Sequence, residues 1–158
     1  MIRQVGIFGV NEWIATASVR GFSVDEWWER PGGANPAIWI LGHIYAHRRI
    51  LAGLLGFEVE PSDLDNHFAR GSRPDDIPVA TDGRALAKEF RAFGKAFTTQ
   101  LEALDPASLG EPIDVEFPNQ PKTRLGALQF LCMHESYHCG QLGQVRVQLG
   151  KGSWMRDE

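Results

Sequence analysis

Cysteine is scarce in this chain of 158 residues, and the two present, Cys132 and Cys139, stand seven apart. On a helix that spacing separates them by two turns, roughly 10 Å along the axis, beyond disulfide reach. No cysteine-rich zinc pattern can form, and both are expected as packing residues or free thiols. Long apolar runs are missing too; none approaches the ~20 residues that cross a bilayer. There is no basic excess: net charge is −4 and the sequence pI about 5.7, which argues against a general nucleic-acid surface. The opening segment MIRQVGIFGVNEW lacks the charged-then-apolar order of a secretory signal. Convincing strands are absent; Ile113–Phe117 alternates but has no evident partner. No repeat or linker divides the chain. The expectation is one cytoplasmic domain spanning 1–158, with no nucleic-acid or membrane partner.

What is present is helical periodicity. The first pattern covers residues 3–21 and is the least clean, because Gly6 and Gly9 weaken it. Ser23 and Glu26 form a capping-box pattern ahead of Trp27 and Trp28. Asn35-Pro36 reads as an N-cap followed by proline at the first helical position. The helix it opens runs to about Leu55, with His43 and His47 on its apolar stripe and Arg48 and Arg49 turned away. A third helix starts near Thr81 or Asp82, and Leu86, Phe90, Phe93, Phe97, Leu101 and Leu104 mark its buried face. Thr123 caps a fourth, which stops at Gly150; its inward stripe takes in His134, Tyr137, His138 and Gln141. Residues 56–81 make a connection long enough to cross the fold or shape a site. The fold class is all-α. The expected architecture is a four-helix bundle in up-down-down-up order, with the long helix 2–helix 3 crossover letting those two helices run parallel.

Four of the five histidines fall into two i, i+4 pairs, His43/His47 and His134/His138. Residues four apart on a helix lie about 40° apart around its axis, so both rings of a pair can reach one ion. A single buried histidine is ordinarily a hydrogen-bonded core residue. Four together without a metal would bury many polar atoms at a cost of several kcal/mol. His134 and His138 are the better pair, because Gln141 lies one turn beyond them and can orient a ring; on helix 2 the choice is His43 or His47. Three neutral imidazoles and an open position suit Zn²⁺, Ni²⁺ or Fe²⁺. The segment His134-Glu135-Ser136-Tyr137-His138 also fits the HExxH pattern of zinc proteases. A third C-terminal ligand would then have to be Asp157 or Glu158, and no strand-rich segment precedes the helix, so a protease is not expected.

Three segments together resemble the DinB-like (DinB/YfiT) superfamily of metalloenzymes. They are Asn35-Pro36-Ala37-Ile38-Trp39-Ile40-Leu41-Gly42-His43-Ile44, Phe68-Ala69-Arg70-Gly71-Ser72-Arg73-Pro74, and His134-Glu135-Ser136-Tyr137-His138-Cys139-Gly140-Gln141-Leu142. Each is loose alone; the trio, in this order along nearly the whole chain, is specific. The resemblance implies an up-down-down-up bundle and one divalent metal held by His43, His134 and His138. It leaves His47 as a pocket residue. It further implies a thiol-dependent transferase or isomerase chemistry in some members, with the metal activating a low-molecular-weight thiol, and frequent homodimers.

The expected function is therefore metal-dependent attack of a small thiol or water on a small electrophilic substrate, giving S-transfer or hydrolysis. His47, Tyr137 and Gln141 would orient ligands. The alternative is a non-catalytic metal-binding or stress-response bundle whose structural metal takes His47 as fourth ligand. Lesser candidates are Asn11 facing the pocket from helix 1, His67 near its mouth, Glu135 as a salt-bridge partner, and Trp27, Trp28 and Trp39 as core or dimer contacts.

Overall fold

The computed structural model describes residues 4–156 and is all-helical over them, without a strand. Its α-helices are α1 (Gln4–Ser18), α2 (Ala37–Leu54), α3 (Leu64–Phe68), α4 (Gly83–Ala103) and α5 (Arg124–Gln148). The expected start of the first helix at residue 3 lies outside the described residues, as do Asp157 and Glu158. Helix boundaries follow local chemistry. Asp82 accepts the Arg84 and Ala85 amides at the start of α4, and Thr123 accepts the Gly126 amide at the start of α5. Gly150, at φ 76°, ends α5 in the left-handed conformation that glycine adopts without cost. The Ser23–Glu26 capping box is formed in both directions, at 2.6 and 3.3 Å. The expected Asn35 cap is not: α2 begins after Pro36 and has no side-chain cap.

Helix α1 packs against α4 and α5, and α2 packs against the same two helices and against α3. The apolar interior divides into two clusters. One joins Ala15 of α1, and Val19 just past its end, to Trp39, Ile40, Phe90 and Leu142. The other joins Phe8 of α1 to Leu51, Phe97 and Leu131. Each long helix contributes one end to each cluster.

Between the clusters lies a polar layer that apolar periodicity does not mark. Arg48 is 1% exposed, although its place off the apolar stripe predicts solvent. Its guanidinium sits 4.5 Å from the Phe90 ring centroid and 5.4 Å from that of Phe8. Nε and Nη2 donate to the Glu135 carboxylate at 2.9 and 2.5 Å, Nη2 also reaches the Phe8 carbonyl, and Nη1 reaches Glu12 at 3.3 Å. Gly94 of α4 makes the room: a Cβ there would stand 1.9 Å from Glu12 Oε2 and 2.3 Å from Arg48 Nη1. Arg49, likewise expected to face water, is 9% exposed and grips Asp65 of α3 at 2.7 Å together with the Glu60 carbonyl. Long cationic side chains are buried here because acceptors meet them: every Arg48 nitrogen has one, as do Nε and Nη2 of Arg49.

Removing one partner of a buried ion pair strands the other charge, at about 3–5 kcal/mol. Glu135→Leu is expected to lose that much in chemical denaturation, and Glu135→Leu with Arg48→Met to recover most of it. A single-variant loss below about 1 kcal/mol would contradict the arrangement.

Candidate metal centre

The site is built from α2, α5 and two connections. His43 comes from α2, and His134 and His138 from α5. Their Nε2 atoms converge: His134 Nε2 lies 3.3 Å from that of His43 and 3.2 Å from that of His138. One nitrogen from each ring lies within 4.8 Å of both others, so the three histidines can hold a metal ion.

Hydrogen bonds on the far side of two rings decide which nitrogen faces inward. His43 Nδ1–H donates to the Phe68 carbonyl at 2.8 Å. His138 Nδ1–H donates to Gln141 Oε1 at 2.6 Å, and the Gln141 amide in turn donates to the Tyr137 hydroxyl at 3.1 Å. Both rings therefore present an unprotonated Nε2. His134 Nε2 can carry one proton and satisfy one neighbour only; its own Nδ1 is buried without a partner among the described residues. Three nitrogen atoms sharing at most one proton leave lone pairs facing each other. A cation resolves that conflict: the two edges that meet at His134, 3.2 and 3.3 Å, match the roughly 3.3 Å between ligands about 2.0–2.1 Å from a tetrahedral zinc, and all three ligand atoms lie within 4.8 Å of one another.

The surroundings hold these rings. Trp39 stacks on His43 with centroids 4.5 Å apart, and its indole N–H bonds Ser72 Oγ at 3.1 Å. Phe68 lies against Gly42, where a Cβ would stand 2.3 Å from the ring, so α2 and the crossover approach closely enough for the His43–Phe68 bond. Burial lowers the pKa of all four paired histidines. It takes His43 down to about 4, with repulsion from His47 adding to it, and His134 down to about 3, with repulsion from His138 adding. All are neutral at physiological pH, the form that ligates a metal.

A cavity of about 400 Å³ opens beside the triad, with His43, His47 and His134 on one wall. Its apolar wall includes Ile50, Val115, Phe117 and Phe130, and Arg70 and Glu116 also line it. The segment with unpaired alternation thus becomes a wall rather than a strand. It is pinned by an isolated bridge between Pro112 and Thr123 and by Phe117 against Phe130, with centroids 5.1 Å apart. Nothing in its sequence pattern announces this role.

The remaining candidates separate clearly. His47 lies outside the converging set; its Nδ1–H donates to the His43 carbonyl at 2.9 Å, and its ring centroid is 4.7 Å from that of His134. Gln141 touches His138 as expected. Tyr137 is 61% exposed, so it is a rim residue rather than an inward one. Asn11 does not face the cavity: it is buried against Ser136, at 3.0 Å. His67 is half-buried on α3 and outside the cavity lining. Glu135 is occupied by Arg48. Trp27 is core, against Phe22. Cys132 and Cys139 are free and buried; burial, with Glu135 adding to it, pushes Cys132 up to about 11 and Cys139 higher. Neither supplies a thiolate near neutral pH.

The depressed histidines make the metal-free protein acid-sensitive. Unfolded imidazoles protonate near pH 6.5, folded His43 only near 4 and His134 near 3. Between these values the unfolded chain binds more protons, so stability falls as pH drops below about 6.5. Denaturant titrations of metal-free protein at pH 7 and 5 are expected to show the loss, and His134→Leu to shrink it. An unchanged slope in the variant would argue against neutral burial.

A search of the curated proteins returns no match. The family model of the DinB superfamily matches residues 14–142, a span that includes His43, His134 and His138. Carrying that match over most of its length, the chain belongs to the DinB superfamily.

Proposed function

We propose that this protein is a divalent-metal-dependent enzyme in which a small thiol or water attacks a small electrophile. The observation that carries the reading is the convergence of three Nε2 atoms beside an apolar cavity. We also propose that the four long helices run up, down, down and up. The reversed order in which α1 and α2 contribute to the two apolar clusters supports this.

When bound, the metal would act as a Lewis acid that lowers the pKa of a ligated thiol or water. His43, His134 and His138 would hold it. The Phe68 carbonyl and Gln141 keep the His43 and His138 rings in the ligating tautomer, and Tyr137 fixes the Gln141 amide. His47, with Nδ1 engaged by its own helix, keeps Nε2 as an acceptor at the cavity wall and takes a hydrogen bond from the nucleophile. In S-transfer, sulfur bonds to the electrophilic carbon, the carbon–leaving-group bond breaks, and the leaving group departs with the electron pair. The thiol proton passes to solvent. The thiol comes from outside, because both cysteines are buried and protonated. Zn²⁺, Ni²⁺ and Fe²⁺ all suit a three-imidazole set. A non-catalytic bundle with a closed four-histidine site is the competing reading. The cavity beside the triad favours chemistry over it.

Elemental analysis of untagged protein is expected to give one metal per chain in the wild type and essentially none in His134→Ala. His47→Gln is expected to keep the metal while turnover of thiol-reactive electrophiles falls about 100-fold or more. Loss of metal in His47→Gln would move that residue into the ligand set. Full metal in His134→Ala would remove the proposed centre.

A further inference from the structure

The cavity beside the triad carries an uneven set of charges. Arg70 and Glu116 are its charged lining residues. Glu116 is paired with Lys122 at 2.7 Å. Arg70 makes no hydrogen bond or ion pair with any described residue, whereas Arg48, Arg49, Arg30 and Arg124 all hold carboxylates.

Arg70 itself is exposed at the cavity, and the backbone on either side of it is anchored. Two residues before it, Phe68 is 1% exposed, wedged against Gly42, and bound through its carbonyl to His43. Two residues after it, Ser72 accepts the Trp39 indole N–H at 3.1 Å. The backbone carrying Arg70 is therefore tied at both ends to α2, next to the three histidines. Its charge is felt at His47, where it adds to burial in lowering the pKa. In the same cavity Phe117 and Phe130 present rings 5.1 Å apart, and Ile50 and Val115 extend the apolar lining.

We propose that Arg70 is a substrate-recognition residue, and that the cavity takes a small monocarboxylate with an aromatic or branched apolar body. A guanidinium fork matches a carboxylate in two parallel hydrogen bonds. One cation, with Glu116 lining the same cavity, favours a singly charged anion over a dianion such as a phosphate monoester. The apolar body lies on Phe117 and Phe130, and the histidine wall faces the segment between ring and carboxylate. This inference rests on the proposed function of the same site, because it names the substrate class for that chemistry.

The test uses 1-naphthaleneacetate, its neutral amide 1-naphthaleneacetamide, and 1-naphthyl phosphate. Calorimetric titrations are run on the full chain, metal-free and zinc-loaded. The carboxylate is expected to bind the wild type at least about tenfold more tightly than the amide, and no more weakly than the phosphate. Arg70→Gln is expected to erase the gap between acid and amide in both forms. Arg73→Gln, on the same connection but outside the cavity lining, is expected to keep it. Equal binding of acid and amide, an undiminished gap in Arg70→Gln, tighter binding of the phosphate, or no binding of any probe overturns the proposal. Metal content of wild type and Arg70→Gln is measured in parallel. A wild type that takes up no metal sinks the proposed metal chemistry, while the gap in the metal-free protein still decides the role of Arg70.

Discussion

A buried arginine fixes the geometry on which the rest depends. Arg48 and Glu135 join α2 to α5 through two hydrogen bonds in the layer between the two apolar clusters. Arg48 follows His47 in sequence, and Glu135 follows His134. The ion pair therefore sets the axial register of the two helices that carry the histidines. A slip of one turn moves one helix by about 5.4 Å, more than the 3.3 Å separating His43 Nε2 from His134 Nε2. Apolar side chains tolerate such slips, because one leucine substitutes for another. A guanidinium ringed by Phe8, Phe90 and Phe97 is held in place by charge: Glu135 takes two of its nitrogens and Glu12 the third. We read the pair as a register lock rather than a source of net stability, since buried ion pairs contribute little beyond apolar packing of equal volume.

A second constraint acts on the rings themselves. Correct helix register brings three imidazoles together, but only the far-side hydrogen bonds decide which nitrogen each presents. The 56–81 connection supplies one of them, through the Phe68 carbonyl. Its length follows from that task. It must cross the end of α2, seat Arg49 on Asp65, bury Phe68 against Gly42, and return to the start of α4. A short turn would leave His43 without its acceptor, and its ring free to rotate away from the other two.

The helices were legible because apolar periodicity and capping chemistry are local. The α4 stripe from Leu86 to Leu101 and the Thr123 cap read directly from neighbouring residues, and the paired histidines read from their four-residue spacing. What was not legible depended on partners far along the chain. Arg48 looks like a solvent residue until Glu135, 87 positions away, is known to face it. Pattern analysis marks apolar faces and treats every long charged side chain as outward, so the polar layer was invisible to it. Tyr137 failed in the opposite sense: its position on the stripe predicted burial, but the rim of the site is open there. The cavity wall at Val115 and Phe117 is irregular backbone, for which no periodicity exists to be read.

The division of labour between His43 and His47 shows how tertiary partners break a tie that sequence leaves open. Both lie on one face of α2, one turn apart, with ring centroids 4.2 Å from each other. Their side-chain chemistry is identical. What differs is the acceptor for Nδ1–H. His43 finds the Phe68 carbonyl across the interface, which swings its Nε2 toward α5. His47 finds the His43 carbonyl on its own helix, so its ring stays beside α2 at the cavity wall. One imidazole is drawn into the ligand set by a carbonyl from another segment. The other, bonded among the described residues only to its own helix, is left facing the space where a substrate would sit.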